Sequence, residues 1–179
     1  MDLQGKSVLV TGAARRVGRA IALRLAEGRP HLLLHYHRSR AEAEEVAALA
    51  EKKGARATLF PASFDDSAGV RGLIDAIRRA GLGVDVLVNN ASIFGRVPLE
   101  AIDEAHWDAM HMVNAKAPFL LAQAFGPEMK RRGAGKIVNI ADVSAENPWK
   151  SYLAYCASKA ALLNVTRGLA KALAPEVQV

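Results

Sequence analysis

Short apolar runs alternating with helical segments constrain this chain more than any other feature. Lys6–Thr11 (KSVLVT), His31–His37 (HLLLHYH), Arg56–Phe60, Val84–Val88 (VDVLV) and Lys136–Ile140 each read as a buried strand. Arg16–Glu27, Ala41–Lys53, Asp66–Ala80, Asp103–Arg132 and Lys150–Leu173 carry the intervening helical patterns. Strand and helix alternate five times with short connections. Strands this uniformly apolar need cover on both faces, so the pattern predicts an α/β fold with a doubly wound parallel sheet. Gly54 stops the second helix, Gly81 and Gly83 break the chain after the third, and Ala174-Pro175 ends the fifth. The Asp103–Arg132 region is expected to be interrupted around Pro118 and Pro127. Val177–Val179 reads as the start of another strand.

At 179 residues the chain suits one domain, 1–179, with a substantial core. Hydrophobic residues make up 51%, yet no run approaches the length of a membrane span. The start, MDLQGKSVLV, carries an acid and enters a strand at once, unlike a signal peptide. Cys156 is the only cysteine, which excludes an intramolecular disulfide and a cysteine zinc site. His106 and His111 lack a third ligand candidate, so no metal is expected. The expectation is a soluble, cytoplasmic protein without a membrane partner. The net charge is +6 and the pI about 9.7, but the basic residues are scattered rather than interleaved with aromatics. Nucleic acid is therefore not an expected partner. The tightest basic groups, Arg15-Arg16 and His37-Arg38-Ser39-Arg40, each follow a strand and suit a small anionic ligand.

Thr11-Gly12 through Gly18 has the strand, glycine-containing turn and helix of a dinucleotide-binding unit. Backbone N–H groups at a helix start, with the helix dipole, attract a pyrophosphate. The general fingerprint has a glycine where Arg16 stands, and an ordinary βα turn is the alternative. No Asp or Glu lies between Leu32 and Ala41 to bond a ribose 2′-hydroxyl. His37, Arg38 and Ser39 are instead donors suited to a 2′-phosphate, which argues for NADP(H) unless this is simply a solvated loop. Asn89-Asn90-Ala91-Ser92 follows the fourth strand, where Asn can bind ligand or brace the backbone. Asn114 lies within a helical pattern, explained by local hydrogen bonding or by a functional kink.

Tyr155 and Lys159 are four apart and share a helix face. A cation there favours the phenolate and lowers the tyrosine's pKa, making it a proton carrier. Asp142 precedes Tyr155 by thirteen residues, just past the fifth strand. A carboxylate beside the phenol raises its pKa and opposes the lysine. It also cannot donate to a carbonyl oxygen as a serine can.

Taken together, Thr11-Gly12…Gly18, Asn89-Asn90-Ala91, Asn114 and Tyr155-x-x-x-Lys159 resemble the short-chain dehydrogenase/reductase family over essentially the whole chain. Its Rossmann sheet and Asn-Ser-Tyr-Lys tetrad are what the resemblance implies. Arg16 in the loop, the HYHRS segment His35–Ser39, Asp142 where the family has its serine, and Ser92 and Phe94 in NNASIF resemble the pteridine reductase branch. The implied chemistry is NADPH-dependent hydride transfer to a pterin ring C=N. In that scheme Tyr155 supplies the proton, Lys159 orients the nicotinamide ribose, and Asn114 holds the local backbone and a water. The implied cofactor contacts are Thr11, Gly12, Arg15, Arg16, Val17 and Gly18, then His37, Arg38, Ser39 and Ser63, then Asn90, Ala91, Ser92, Tyr155 and Lys159. Ser63 departs from the family's usual aspartate. The implied substrate contacts are Arg16, Ser92, Phe94, Asp142 and Tyr155, with Phe94 stacking on the pterin unless it packs in the core.

Ser144 is the alternative partner for Tyr155, and would restore a carbonyl or 3-oxoacyl reductase. A catalytically silent NADP-binding protein is a third reading. Family members are commonly homotetramers and continue past the position of Val179. The sequence is therefore expected to lack the sheet's last strands and the substrate-covering loop, leaving the fifth strand as an edge.

Overall fold

The computed structural model describes residues 2–179. Six strands, β1 (Ser7–Val10), β2 (His31–Tyr36), β3 (Arg56–Pro61), β4 (Val86–Asn89), β5 (Gly135–Asn139) and β6 (Val177–Gln178), pair in parallel in the order β3-β2-β1-β4-β5-β6. The chain walks outward from β1 to β3 and then returns to β4, so the order reverses between β1 and β4. At such a switch point the crossover helices diverge and leave a crevice beyond the strands' carboxyl ends.

Helices α1 (Arg16–Leu25) and α2 (Arg40–Lys52) cover one face, and α3 (Ser67–Arg79) and α5 (Ala117–Arg131) the other. Alternation along β1 sets this division. Leu9 packs with Leu33, Leu87 and Ile137 beneath α3 and α5, while Val8 and Val10 pack with Leu32, Leu34, Val86 and Val88 beneath α1 and α2. Leu9, Leu33 and Leu87 are wholly buried, and each such side chain contributes about 1.5–3 kcal/mol. The sheet centre is thus a stiff floor under the crevice. Asp66 caps α3 by accepting from Gly69 N–H at 2.8 Å. Asp103 caps α4 (Glu104–His111) in the same way, through His106 N–H at 2.7 Å.

The prolines do not interrupt the long helical region as expected. Pro118 follows directly on a continuous helical stretch as the second residue of α5, and Pro127 is carried inside the helix. The irregularity lies earlier, in a π-helical turn over Met112–Lys116 that carries Asn114. The last helix, α6 (Leu153–Leu173), begins three residues later than the sequence pattern indicated, after a turn through Trp149–Ser151. β6 pairs with Gly135 and Lys136, so β5 is covered over its first two residues.

Candidate active site

A cleft of about 600 Å³ opens at the crossover between β1 and β4. Gly12 adopts φ +64°, a conformation that favours glycine. Gly18 opens α1 so close to the loop that a Cβ would fall 2.1 Å from the Gly12 carbonyl oxygen. Gly12, Arg15, Arg16, Val17 and Gly18 line the cleft together. Arg16 has φ +50°, left-handed backbone at the position where the general fingerprint places glycine. For a non-glycine residue this costs about 1–2 kcal/mol. The fold thus keeps the glycine conformation and gives the position a guanidinium.

His37, Arg38 and Ser39 line the next wall, with no carboxylate between β2 and α2. Arg40 is drawn away by Glu44 at 2.8 Å, and Arg15 lies 3.8 Å from Glu42. Among the described residues Arg38 makes no ion pair. Volume, glycine loop and donor set therefore fit a dinucleotide bearing a 2′-phosphate.

Four expected cofactor contacts fall outside this lining: Thr11, Ser63, Tyr155 and Lys159. Thr11 lies under the loop, only 1% exposed. Its Oγ1 accepts from the N–H groups of Asn90 and Ala91, each at 2.9 Å, and donates to Val88 O at 3.3 Å. It braces the site from below. Ser63 is turned into its own loop by accepting from Asp65 N–H at 3.0 Å, and Phe64 and Asp65 form that wall instead. Asn90, Ala91 and Ser92 do line the cleft, but the Asn90 amide is spent on Thr11 O at 2.9 Å and Gly12 O at 3.2 Å.

Beyond the ends of β4 and β5, Tyr155 and Lys159 project from one face of α6. The Tyr155 hydroxyl donates to Asp142 Oδ2 at 2.9 Å. Asp142 Oδ1 in turn accepts from Ser144 N–H at 2.8 Å. Asp142, not Ser144, therefore faces the tyrosine, while the Ser144 hydroxyl is buried without a hydrogen-bond partner among the described residues. Lys159 Nζ donates to Ile140 O at 2.9 Å and stands 5.8 Å from the centre of the Tyr155 ring.

The electrostatics reverse one expectation. Burial, reinforced by the Asp142 carboxylate, pushes the Tyr155 phenol well above its ordinary pKa. The lysine lies over the ring instead of against the oxygen, so it does not pull the value down. Burial lowers Lys159, partly offset by Asp142. Desolvation alone would raise Asp142, but hydrogen bonds from Ser144 and Tyr155 and the nearby Lys159 charge outweigh it and hold the carboxylate below its usual range. At neutral pH the arrangement is a protonated phenol on an ionised carboxylate, beside a buried ammonium.

Asn114 is 1% exposed and satisfied on every side. Its Oδ1 accepts from Ile93 N–H and the Ser92 hydroxyl, both at 2.9 Å, and its Nδ2 donates to Ile93 O and Ser158 Oγ, both at 3.0 Å. The π turn aims this side chain inward. Ser158, which sequence reasoning passed over, completes the chain by donating to Tyr155 O at 2.7 Å. Its place between Tyr155 and Lys159, on the same helix face, was the available signal. His35, Phe64 and Asp65 were likewise not singled out individually.

Phe94 is not in the core; it is 57% exposed. Its ring stacks on Tyr152 at 4.7 Å and meets Tyr155 edge-on at 4.7 Å, with Trp149 edge-on at 6.5 Å. An aromatic wall thus stands beside the phenol. Among the described residues no cluster of His, Cys, Asp or Glu could hold a metal, and no helix is long and apolar enough to cross a membrane.

Comparison with known proteins agrees with this geometry. The family model for short chain dehydrogenase matches residues 6–179. A short-chain type dehydrogenase/reductase of Picea abies is 35% identical over 96% of this chain, which spans 66% of that relative's length. A 3-oxoacyl-[acyl-carrier-protein] reductase of Staphylococcus aureus is 35% identical over 94% of the chain and 69% of its own length. The crystal structure of the alternative dihydrofolate reductase FolM of Brucella canis, complexed with NADP, superposes with TM-score 0.91 at 35% identity, covering 100% of this chain and 72% of that one. With its sheet order, glycine loop and Tyr-Lys pair in place, the chain belongs to the short-chain dehydrogenase family.

Proposed function

We propose that this protein is an NADPH-dependent reductase of a pterin-type ring, of the dihydropterin or dihydrofolate class. The observation that carries the reading is the Tyr155–Asp142 hydrogen bond of 2.9 Å. A carboxylate in the serine's usual place can only accept hydrogen bonds, which suits an amino-pyrimidine edge rich in N–H groups and not a carbonyl oxygen. Arg16 in the loop and the aromatic wall around Phe94 support a flat, polar heterocycle.

Gly12, Arg16, Gly18, His37, Arg38 and Ser39 are the residues that would hold the cofactor, with Lys159 nearest the reacting end. NADPH supplies the hydride when bound. The protein's own contribution is the balancing proton. Tyr155, kept protonated by burial and by Asp142, delivers it to the ring nitrogen of the reduced C=N bond. The phenolate left behind then regains a proton from solvent. Asn114 fixes the Ser92-Ile93 backbone and, through Ser158, the turn of α6 that carries Tyr155.

Reduction of a ketone or 3-oxoacyl group is the second reading. It draws on the Staphylococcus aureus enzyme, whose 35% identity equals that of the Brucella canis protein, so overall similarity favours neither. The deciding assay follows loss of reduced-nicotinamide absorbance with dihydrobiopterin, dihydrofolate and a 3-oxoacyl thioester in parallel. Turnover of the pterins alone is expected. Turnover of the thioester alone would transfer the assignment to carbonyl reduction, and tight NADPH binding without turnover would indicate a non-catalytic binder.

A further inference from the structure

We propose that His35 is a positioning residue for the cofactor, holding the glycine loop and the facing wall of the cleft in register through a single neutral tautomer. The inference rests on the NADPH reading above but not on the identity of the substrate. His35 lies near the end of β2, 3% exposed, in the floor of the cleft. Gly12 N–H donates to its Nδ1 at 3.1 Å, so that nitrogen carries no proton. Nε2 must then bear the hydrogen, and it donates to Ala62 O at 3.1 Å. The ring also lies flat on Phe64, with centroids 4.2 Å apart and planes 6° from parallel.

One imidazole therefore spans two segments that no strand pairing joins. On one side is the turn between β1 and α1, and on the other the segment leaving β3 that carries Phe64 and Asp65 into the cleft. The leverage comes from how tightly the loop is built. Gly18 packs against the Gly12 carbonyl, so a displaced Gly12 takes the start of α1 with it. Removing the acceptor also leaves a partly buried backbone N–H without its partner, a cost the loop can relieve by moving. Burial supports the neutral form by lowering the ring's pKa to about 4.

The test is a fluorescence titration of NADPH into wild type, His35→Phe and His35→Asn. Phe preserves the stacked ring and removes both hydrogen bonds. Asn places a carbonyl oxygen near the Nδ1 position and restores the acceptor. We expect His35→Phe to weaken NADPH about tenfold, as for one partly buried donor left unpaired, and His35→Asn to recover to within about threefold of wild type. At saturating NADPH, kcat should be unchanged within about twofold, because His35 acts on the cofactor's seat and not on the proton path. Equal affinity in all three proteins, or equal losses in both variants, would overturn the inference. Should His35→Phe not fold, nitrogen NMR of the wild-type ring decides: the Nε2–H tautomer supports the inference and the Nδ1–H tautomer or an imidazolium overturns it. Absence of NADPH binding by wild type would instead overturn the cofactor reading, and this inference with it.

Discussion

The two halves of the candidate site, the cleft and the tyrosine centre beyond β4 and β5, are held by opposite means. On the β1–β3 side the charged groups, Arg15, Arg16, His37 and Arg38, are exposed, and neutral groups beneath them fix the backbone: the buried Thr11 and His35 and the half-buried Asn90. On the β4–β5 side the ionisable groups themselves are buried, with Lys159 4% and Tyr155 6% exposed. The first half binds an ion that brings its own charge, so its cations can remain hydrated until the ligand arrives. The second half must hold a proton at one atom, and removal from water is what shifts the phenol. Changes in the first half should therefore act on cofactor affinity and loop stability, and changes in the second on the chemical step.

The largest expected effect is on the second half. Tyr155→Phe removes the proposed proton donor and should lower kcat about a thousandfold, within the usual range for a general acid. NADPH affinity, read by fluorescence, should stay within about threefold. Comparable loss of binding would erase the distinction between the halves.

Acid should break the first half before the second. His35 has a folded-state pKa of about 4 against 6.5 when exposed. Between those values the unfolded chain binds the extra proton and the folded one does not, so stability falls as pH drops from about 6.5 to 4 and is complete above that window. The shift corresponds to roughly 3 kcal/mol. Denaturant melts across this range should show the loss in wild type and its disappearance in His35→Asn. Asp142, held below its ordinary value, contributes stability lost only at pH values lower still.

The smallest effect sharpens the same contrast. Arg16→Gly should relieve the φ +50° backbone and raise stability by about 1 kcal/mol, while weakening NADPH by removing a cation. Chemical denaturation and cofactor titration of the same variant would show the two effects with opposite sign.

Much of this architecture was legible in the sequence, because its signals are local. Valine- and leucine-rich runs announced the strands, and Gly12 and Gly18 announced the loop from neighbouring residues alone. Tyr155 and Lys159 needed only helix periodicity. What could not be read depended on pairings across long stretches of chain. Thr11 looked like a ligand contact until Asn90 and Ala91, 79 and 80 residues away, took its hydroxyl. His35 gained its role only when Gly12 and Ala62 came to its two nitrogens. Pro127 promised a break that the helix does not show, and the irregularity near Pro118 takes the form of a π turn over Met112–Lys116. Spacing put Asp142 at the serine's position and left Ser144, two residues on, as the alternative partner for Tyr155; the course of the chain after β5 separates them.

That separation is the most direct point of attack. The measurement is the ratio of kcat/KM for dihydrobiopterin to kcat/KM for a 3-oxoacyl thioester, in wild type and in Asp142→Ser. The account predicts a wild-type ratio well above one that falls by about a hundredfold or more in the variant, as a hydroxyl donor replaces a carboxylate acceptor. A ratio that the substitution leaves unchanged, or a wild-type preference for the thioester, would contradict it.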